Sequence, residues 1–103
     1  MTLTKTHDIK TTGSSLMGYV KSDYTTLVTI FGEPTVKIGG DKTTVEWHLE
    51  FEDDALGTIM ATIYDWKTDT TPLSTYNWHI GGFSPSAVYA VEDYMGLFET
   101  NHD

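Results

Sequence analysis

The strongest constraint on this chain is an alternation. Across residues 44–52, Val45, Trp47, Leu49 and Phe51 alternate with Thr44, Glu46, His48, Glu50 and Glu52. A β-strand sends successive side chains to opposite faces, so a period of two describes a strand with one buried and one wet face. Asp53-Asp54-Ala55-Leu56-Gly57 reads as a turn, and residues 58–67 as a second strand. There Ile59, Ala61 and Ile63 alternate with Met60, Thr62, Tyr64 and Trp66. Both of its faces are fairly apolar, which predicts a central position or a covered outer face. Two such strands around a short turn predict an antiparallel hairpin.

The flanks supply the other elements. Ser22-Asp23 can cap a helix, because a short oxygen side chain accepts from free N–H groups of the first turn. Tyr24, Leu27, Val28 and Phe31 then recur at spacings of three and four, Gly32 ends the helix, and Pro34 prevents its continuation. Residues 16–20 are short and apolar, a strand between turn formers. Residues 35–41, with Gly39-Gly40-Asp41, read as a turn, and residues 68–75 as a polar loop. Residues 76–80 form a third strand, with Trp78 and Ile80 facing inward if Tyr76 does; Gly81-Gly82 breaks it. Ser84-Pro85-Ser86 is a helix start, with Ser at the cap and Pro at the first helical position. Val88, Val91, Met95 and Phe98 mark one face of that helix, with Glu92, Asp93 and Glu99 on others and a polar tail over residues 100–103. The order (β)αβββα predicts an α+β domain: a small antiparallel sheet of three to four strands with two helices packed on one face. Residues 1–15 are polar and threonine-rich, and read as a flexible arm or an edge strand. Residues 16–103 form a single domain, since 103 residues suit one core.

Composition narrows the chemistry. Fifteen acidic residues face six lysines, giving a formal charge of −9, and the chain contains neither Arg nor Cys. The lysines at 5, 10, 21, 37, 42 and 67 are scattered, so the clustered positive charge that neutralises phosphates is missing. Nucleic acid is therefore not an expected partner. Without Cys there is no disulfide, thiolate nucleophile or Cys-based metal site. No apolar run reaches the ~20 residues of a bilayer span, and the N-terminal residues lack a signal peptide's apolar stretch, so a cytoplasmic location without membrane association is expected.

Four strings carry a resemblance: Phe31-Gly32-Glu33-Pro34-Thr35, Glu46-Trp47, Ile63-Tyr64-Asp65-Trp66-Lys67 and Trp78-His79-Ile80-Gly81-Gly82. In this order and approximate spacing they resemble a set of small, uncharacterised proteins of bacteriophages and marine viruses, over about residues 20–98. The resemblance implies a viral accessory protein acting in the host cytoplasm. It transfers no activity and no site residue.

No catalytic or cofactor-binding constellation stands out, so a non-enzymatic protein is expected. The chain has no G-x-S-x-G elbow, and Gly81-Gly82-Phe83-Ser84 is explained by helix capping. His7, His48, His79 and His102 lie far apart. Glu46, His48 and His79 can meet across strands as metal ligands, with Asp65 joining if the registers agree, but polar residues on a wet face are the ordinary expectation, and no metal site is assigned. Glu50-Phe51-Glu52-Asp53-Asp54 lacks the spaced ligands of a calcium loop and reads as a solvated acidic turn. Gly81, Gly82 and Ser84, leading into a helix N-terminus, form a candidate turn for an anion or ligand. The aromatic residues carry more. Trp47 and Trp78 belong to the core by alternation. Tyr64 and Trp66 face the other way, toward Glu46, His48 and His79, and these five residues form the candidate binding surface. That face suits either a protomer contact or a partner or ligand surface. Two functions follow. One is an accessory protein that binds a host protein, for host takeover or against host defence, through an acidic, aromatic-bearing sheet face. The other is a homo-oligomer that binds or sequesters a small, nucleotide-like ligand.

Overall fold

The alternating hairpin forms the middle of a five-stranded sheet. The computed structural model describes residues 1–37 and 42–101, the last four as helix backbone only. Its elements are β1 (Thr2–Lys5), β2 (Ser15–Ser22), α1 (Tyr24–Phe31), β3 (Glu46–Asp53), β4 (Gly57–Tyr64), β5 (Tyr76–Gly82) and α2 (Ser86–Asn101). The strand order is β1-β3-β4-β5-β2, and every pairing is antiparallel. β3 and β4 pair from Glu46 opposite Tyr64 to Asp53 opposite Gly57. The Asp53 carboxylate closes their turn by accepting from the Ala55 and Leu56 N–H groups at 3.0 and 2.9 Å. The α+β class holds, with five strands in place of three or four. The extra strand is β1, which pairs with the outer edge of β3. β4, apolar on both faces, occupies the centre of the sheet.

Both helices pack against the inner face. Trp47, Leu49, Phe51, Ile63, Trp78 and Ile80 share one buried cluster with Leu27 and Phe31 of α1 and Val91 of α2. The two helices meet where Phe31 stacks on Tyr94, with ring centroids 5.7 Å apart. Threonines and β-branched residues make α1 a poor helix on propensity alone, so its ends are held from outside. Asp23 caps its start by accepting from Thr26 N at 2.8 Å. Gly32, at φ +85°, turns the chain at its end and donates to the Val28 carbonyl at 2.8 Å. The two core tryptophans then pin both termini. Trp78 Nε1 donates to the Ser22 carbonyl at 3.0 Å, and Trp47 Nε1 to the Gly32 carbonyl at 2.9 Å.

α2 departs from expectation in three ways. Its buried stripe is Ala87, Ala90, Val91 and Met95, with Val88 only partly buried. The alanines win because the helix lies close to the sheet, where small residues allow the backbones to approach. The helix also runs through Asn101, so residues 100 and 101 are not tail. The Ser84 hydroxyl pairs with the Ser86 hydroxyl, and its carbonyl accepts from Ala87 N, so the expected side-chain cap does not form. The turn expected at Gly39-Gly40-Asp41, the side chains of Phe98 and Glu99, and His102 lie outside the described residues. Among the described residues no helix is long and apolar enough to cross a membrane.

The connection from β1 to β2 shapes the other face. These strands lie at opposite edges, so residues 6–14 must cross the sheet. The helices occupy the inner face, and the crossing segment takes the outer one. Thr35 ties it down: its hydroxyl donates to the Thr6 carbonyl at 2.8 Å and accepts from His48 N at 2.9 Å. Thr35→Val keeps the shape and removes both bonds. It is expected to cost about 1–2 kcal/mol, seen as a lower urea midpoint at unchanged m-value. An unchanged midpoint would show that the tie contributes nothing.

Candidate functional site

The site is built where the chain leaves β4. Asp65 continues the inward phase of Ile59, Ala61 and Ile63, and is fully buried. Its carboxylate accepts from Thr44 N at 2.7 Å, Val45 N at 3.3 Å, and the Thr44 and Thr68 hydroxyls at 2.5 Å each. Burial alone would raise its pKa, but these four hydrogen bonds outweigh that and hold the carboxyl below the usual carboxylate range. Next to it, Trp66 N donates to the Tyr76 hydroxyl at 3.1 Å. Lys67 adopts φ +55° and donates its N–H to the Lys42 carbonyl at 2.7 Å. The Trp66 ring therefore stands outward on a backbone fixed on three sides.

A row of residues crosses the outer face at this level. Glu46 lies opposite Tyr64, Tyr64 opposite His79, and His79 opposite Tyr19. The His79 ring centroid lies 4.9 Å from that of Tyr19, 5.4 Å from Tyr64 and 6.1 Å from Trp66. A bulge in β2 between Leu16 and Gly18 shifts the phase of that strand, so Leu16 and Tyr19 both point outward. These five side chains line an open cleft of about 490 Å³. Tyr19 is 53% exposed, Leu16 46% and Trp66 39%. A smaller, more polar cleft of about 190 Å³ adjoins it and shares Tyr64 and Trp66. Thr11 and Ser14 of the crossing segment form one wall, Thr43 and Glu46 another, and Thr62 and Gly81 also line it.

The charge distribution is uneven. Burial pushes the His79 imidazole below its ordinary pKa, against a smaller opposite pull from Asp65. Its Nδ1 is buried without a hydrogen-bond partner. Burial raises the Tyr64 phenol, and the nearby Glu46 and Tyr19 add to this. The Lys42 ammonium lies 5.5 Å from the Trp66 ring centroid.

The structure brings Tyr64, Trp66 and His79 into ring contact and sets Glu46 at the edge of the group. His48 is turned aside: its Nε2 lies 2.9 Å from Glu46 Oε1, and it lines neither cleft. The metal constellation is not assembled: Asp65 points into the core, and β4, with Tyr64, stands between His79 and the Glu46–His48 pair. Among the described residues no three His, Asp or Glu side chains are grouped to hold a metal. The anion turn is also corrected. Gly81 and Gly82 lie inside β5, paired on both sides, and α2 begins only at Ser86. Their role is steric. A Cβ on Gly81 would sit 2.5 Å from Thr62 Oγ1, and one on Gly82 2.4 Å from Ala87 Cβ. Tyr19 and Leu16 escaped sequence reasoning because simple alternation fails through a bulge. Asp65 was findable, since it falls in the inward phase of its strand.

No protein-family model, curated protein or solved structure matches this chain in comparisons with known proteins. The molecule is thus defined by its own geometry: an α+β domain with a helix-covered inner sheet face and an aromatic cleft on the outer one.

Proposed function

We propose that this chain is a non-enzymatic binding protein whose contact surface is the outer sheet face around Tyr64 and Trp66. One observation carries this reading. Leu16, Tyr19 and Trp66, all exposed, gather around one cleft on a face where β3 presents Glu46, His48, Glu50 and Glu52. Exposed large apolar side chains scattered singly are ordinary, whereas a group of them rimmed by polar residues marks an interaction site. Rigid aromatic anchors supply most of the binding energy in such surfaces. A host protein as the partner, and an accessory role in a virus-infected cell, belong to the same proposal and are supported by the resemblance of the four strings. The charge of −9 favours a basic partner through long-range attraction.

The test compares two baits in a host lysate. Proteins retained by the native chain should be lost from Trp66→Ala, with affinity reduced about tenfold or more, and retention should weaken as salt rises. Equal retention by both baits, insensitive to salt, would remove this face from consideration. A second reading, a small nucleotide-like ligand, is favoured by cleft size: about 490 Å³ lies within the range of small-molecule sites. A rise in Tm with a nucleotide or cyclic dinucleotide supports it, and no rise at saturation argues against it.

A further inference from the structure

We infer that the aromatic cleft is a cage for a lysine ammonium presented by a basic partner protein. The inference rests on the binding role of the outer face and adds the chemistry of what it holds. Three electron-rich rings surround the cleft: Tyr19 from β2, Tyr64 from β4 and Trp66 just beyond it. Each offers a negative π-face, and a cation within about 6 Å of such a centroid is attracted by the ring quadrupole. Several rings around one cavity are a standard means of holding quaternary ammonium groups, and a lysine ammonium is drawn to the same ring faces. The fourth ring, His79, sits among the others, and its burial disfavours the charged imidazolium.

Two further observations point to a cation. Lys42 already places its ammonium 5.5 Å from the Trp66 centroid. This contact shows that the Trp66 ring attracts an ammonium; Lys42 does not line the cleft, so an incoming lysine meets its repulsion only at the rim and takes its place on that ring. Glu46 stands beside Tyr64 and lines the adjoining cleft; its oxygens already contact His48 and Thr43, and its negative charge favours a cation at the boundary between the two clefts through space. The whole chain adds its charge of −9, which draws basic segments toward it from a distance. An acidic or phosphorylated partner meets the opposite conditions: the chain has no Arg, and among the described residues no lysine lines the cleft.

The experiment titrates the full chain with an N-acetylated hexalysine amide at about 0.15 M salt, where surface charge is screened beyond ~8 Å. The comparison peptide carries an acetyl group on every Nε, which removes the charge and keeps the stem. The charged peptide should bind, and the acetylated one at least about tenfold more weakly. Trp66→Ala and Tyr19→Ala should each weaken the charged peptide about fivefold, with unfolding midpoints confirming that both variants fold. Asp54→Asn removes one charge at the far end of the β3–β4 hairpin and should change binding less than about twofold. Equal binding of the two peptides would overturn the inference and leave the face as an apolar contact surface. Peptide binding unchanged by Trp66→Ala and Tyr19→Ala would overturn it in favour of diffuse attraction to an acidic protein. Loss of the lysate partner from Trp66→Ala, together with equal binding of both peptides, would sink the cation cage and keep the binding face.

Discussion

Replacing Asp65 with alanine is expected to lower the unfolding free energy by about 3 kcal/mol, a fall in Tm of more than about 10 °C for a domain of this size. The carboxylate is fully buried and accepts four hydrogen bonds, two of them from backbone N–H groups. Alanine leaves these donors without an acceptor and opens a small void, and a stranded buried donor costs its full desolvation. Asp65→Asn keeps the shape and one carbonyl acceptor, while both threonine hydroxyls can turn to accept from its amide. It should cost less than half as much. The pH dependence separates charge from shape. Asp65 has a lowered pKa in the folded state, so the unfolded chain binds its proton more readily. Its contribution is therefore complete above the unfolded carboxylate value of about 3.9 and is lost as pH falls through the lower folded value. Urea midpoints from pH 7 down to about pH 2 should converge between the native chain and Asp65→Asn. Parallel curves would show that the charge of Asp65 contributes nothing.

Gly82→Ala should destabilise by about 3 kcal/mol, although alanine is usually harmless in a strand. The added Cβ would lie 2.4 Å from Ala87 Cβ and 3.2 Å from the Met60 carbonyl oxygen. The first neighbour belongs to α2 and the second to the β4 backbone, and neither is the flexible end of a side chain. The helix must lift off the sheet, opening the layer that buries Ala90, Val91 and Met95. Denaturant unfolding should show the loss, and Ala87→Gly in the same chain should restore part of it. The two changes touch each other, so their effects should not add. Full additivity would show that the strain lies elsewhere.

The legible parts of this fold were those written in local periodicity. Val45, Trp47, Leu49 and Phe51 announce a half-buried strand, and Tyr64 and Trp66 fall out of phase with Ile59, Ala61 and Ile63 on the next one. The less legible parts depended on partners distant in sequence. Thr2–Lys5 is a strand only because the edge of β3 is available to it. Gly81 and Gly82 read as a break because glycine is a poor strand residue, yet in the sheet they are what allows close approach by Ala87 and Thr62. Tyr19 was hidden by the bulge after Leu16, which changes the phase of β2 and so the face each side chain takes. His48 shares the phase of Glu46 but is spent on it as a contact, a pairing that alternation does not reveal.

Oxidative footprinting of the chain, free and in complex with a lysate-captured partner, tests the binding face most directly. Tyr19 and Tyr89 are the same residue type and similarly exposed, at 53% and 47%, but Tyr19 lies at the cleft and Tyr89 on α2. Complex formation should protect Tyr19 and Trp66 from oxidation and leave Tyr89 as reactive as in the free chain. Protection of Tyr89 with Tyr19 and Trp66 still reactive would place the contact surface on the helical side and contradict the account.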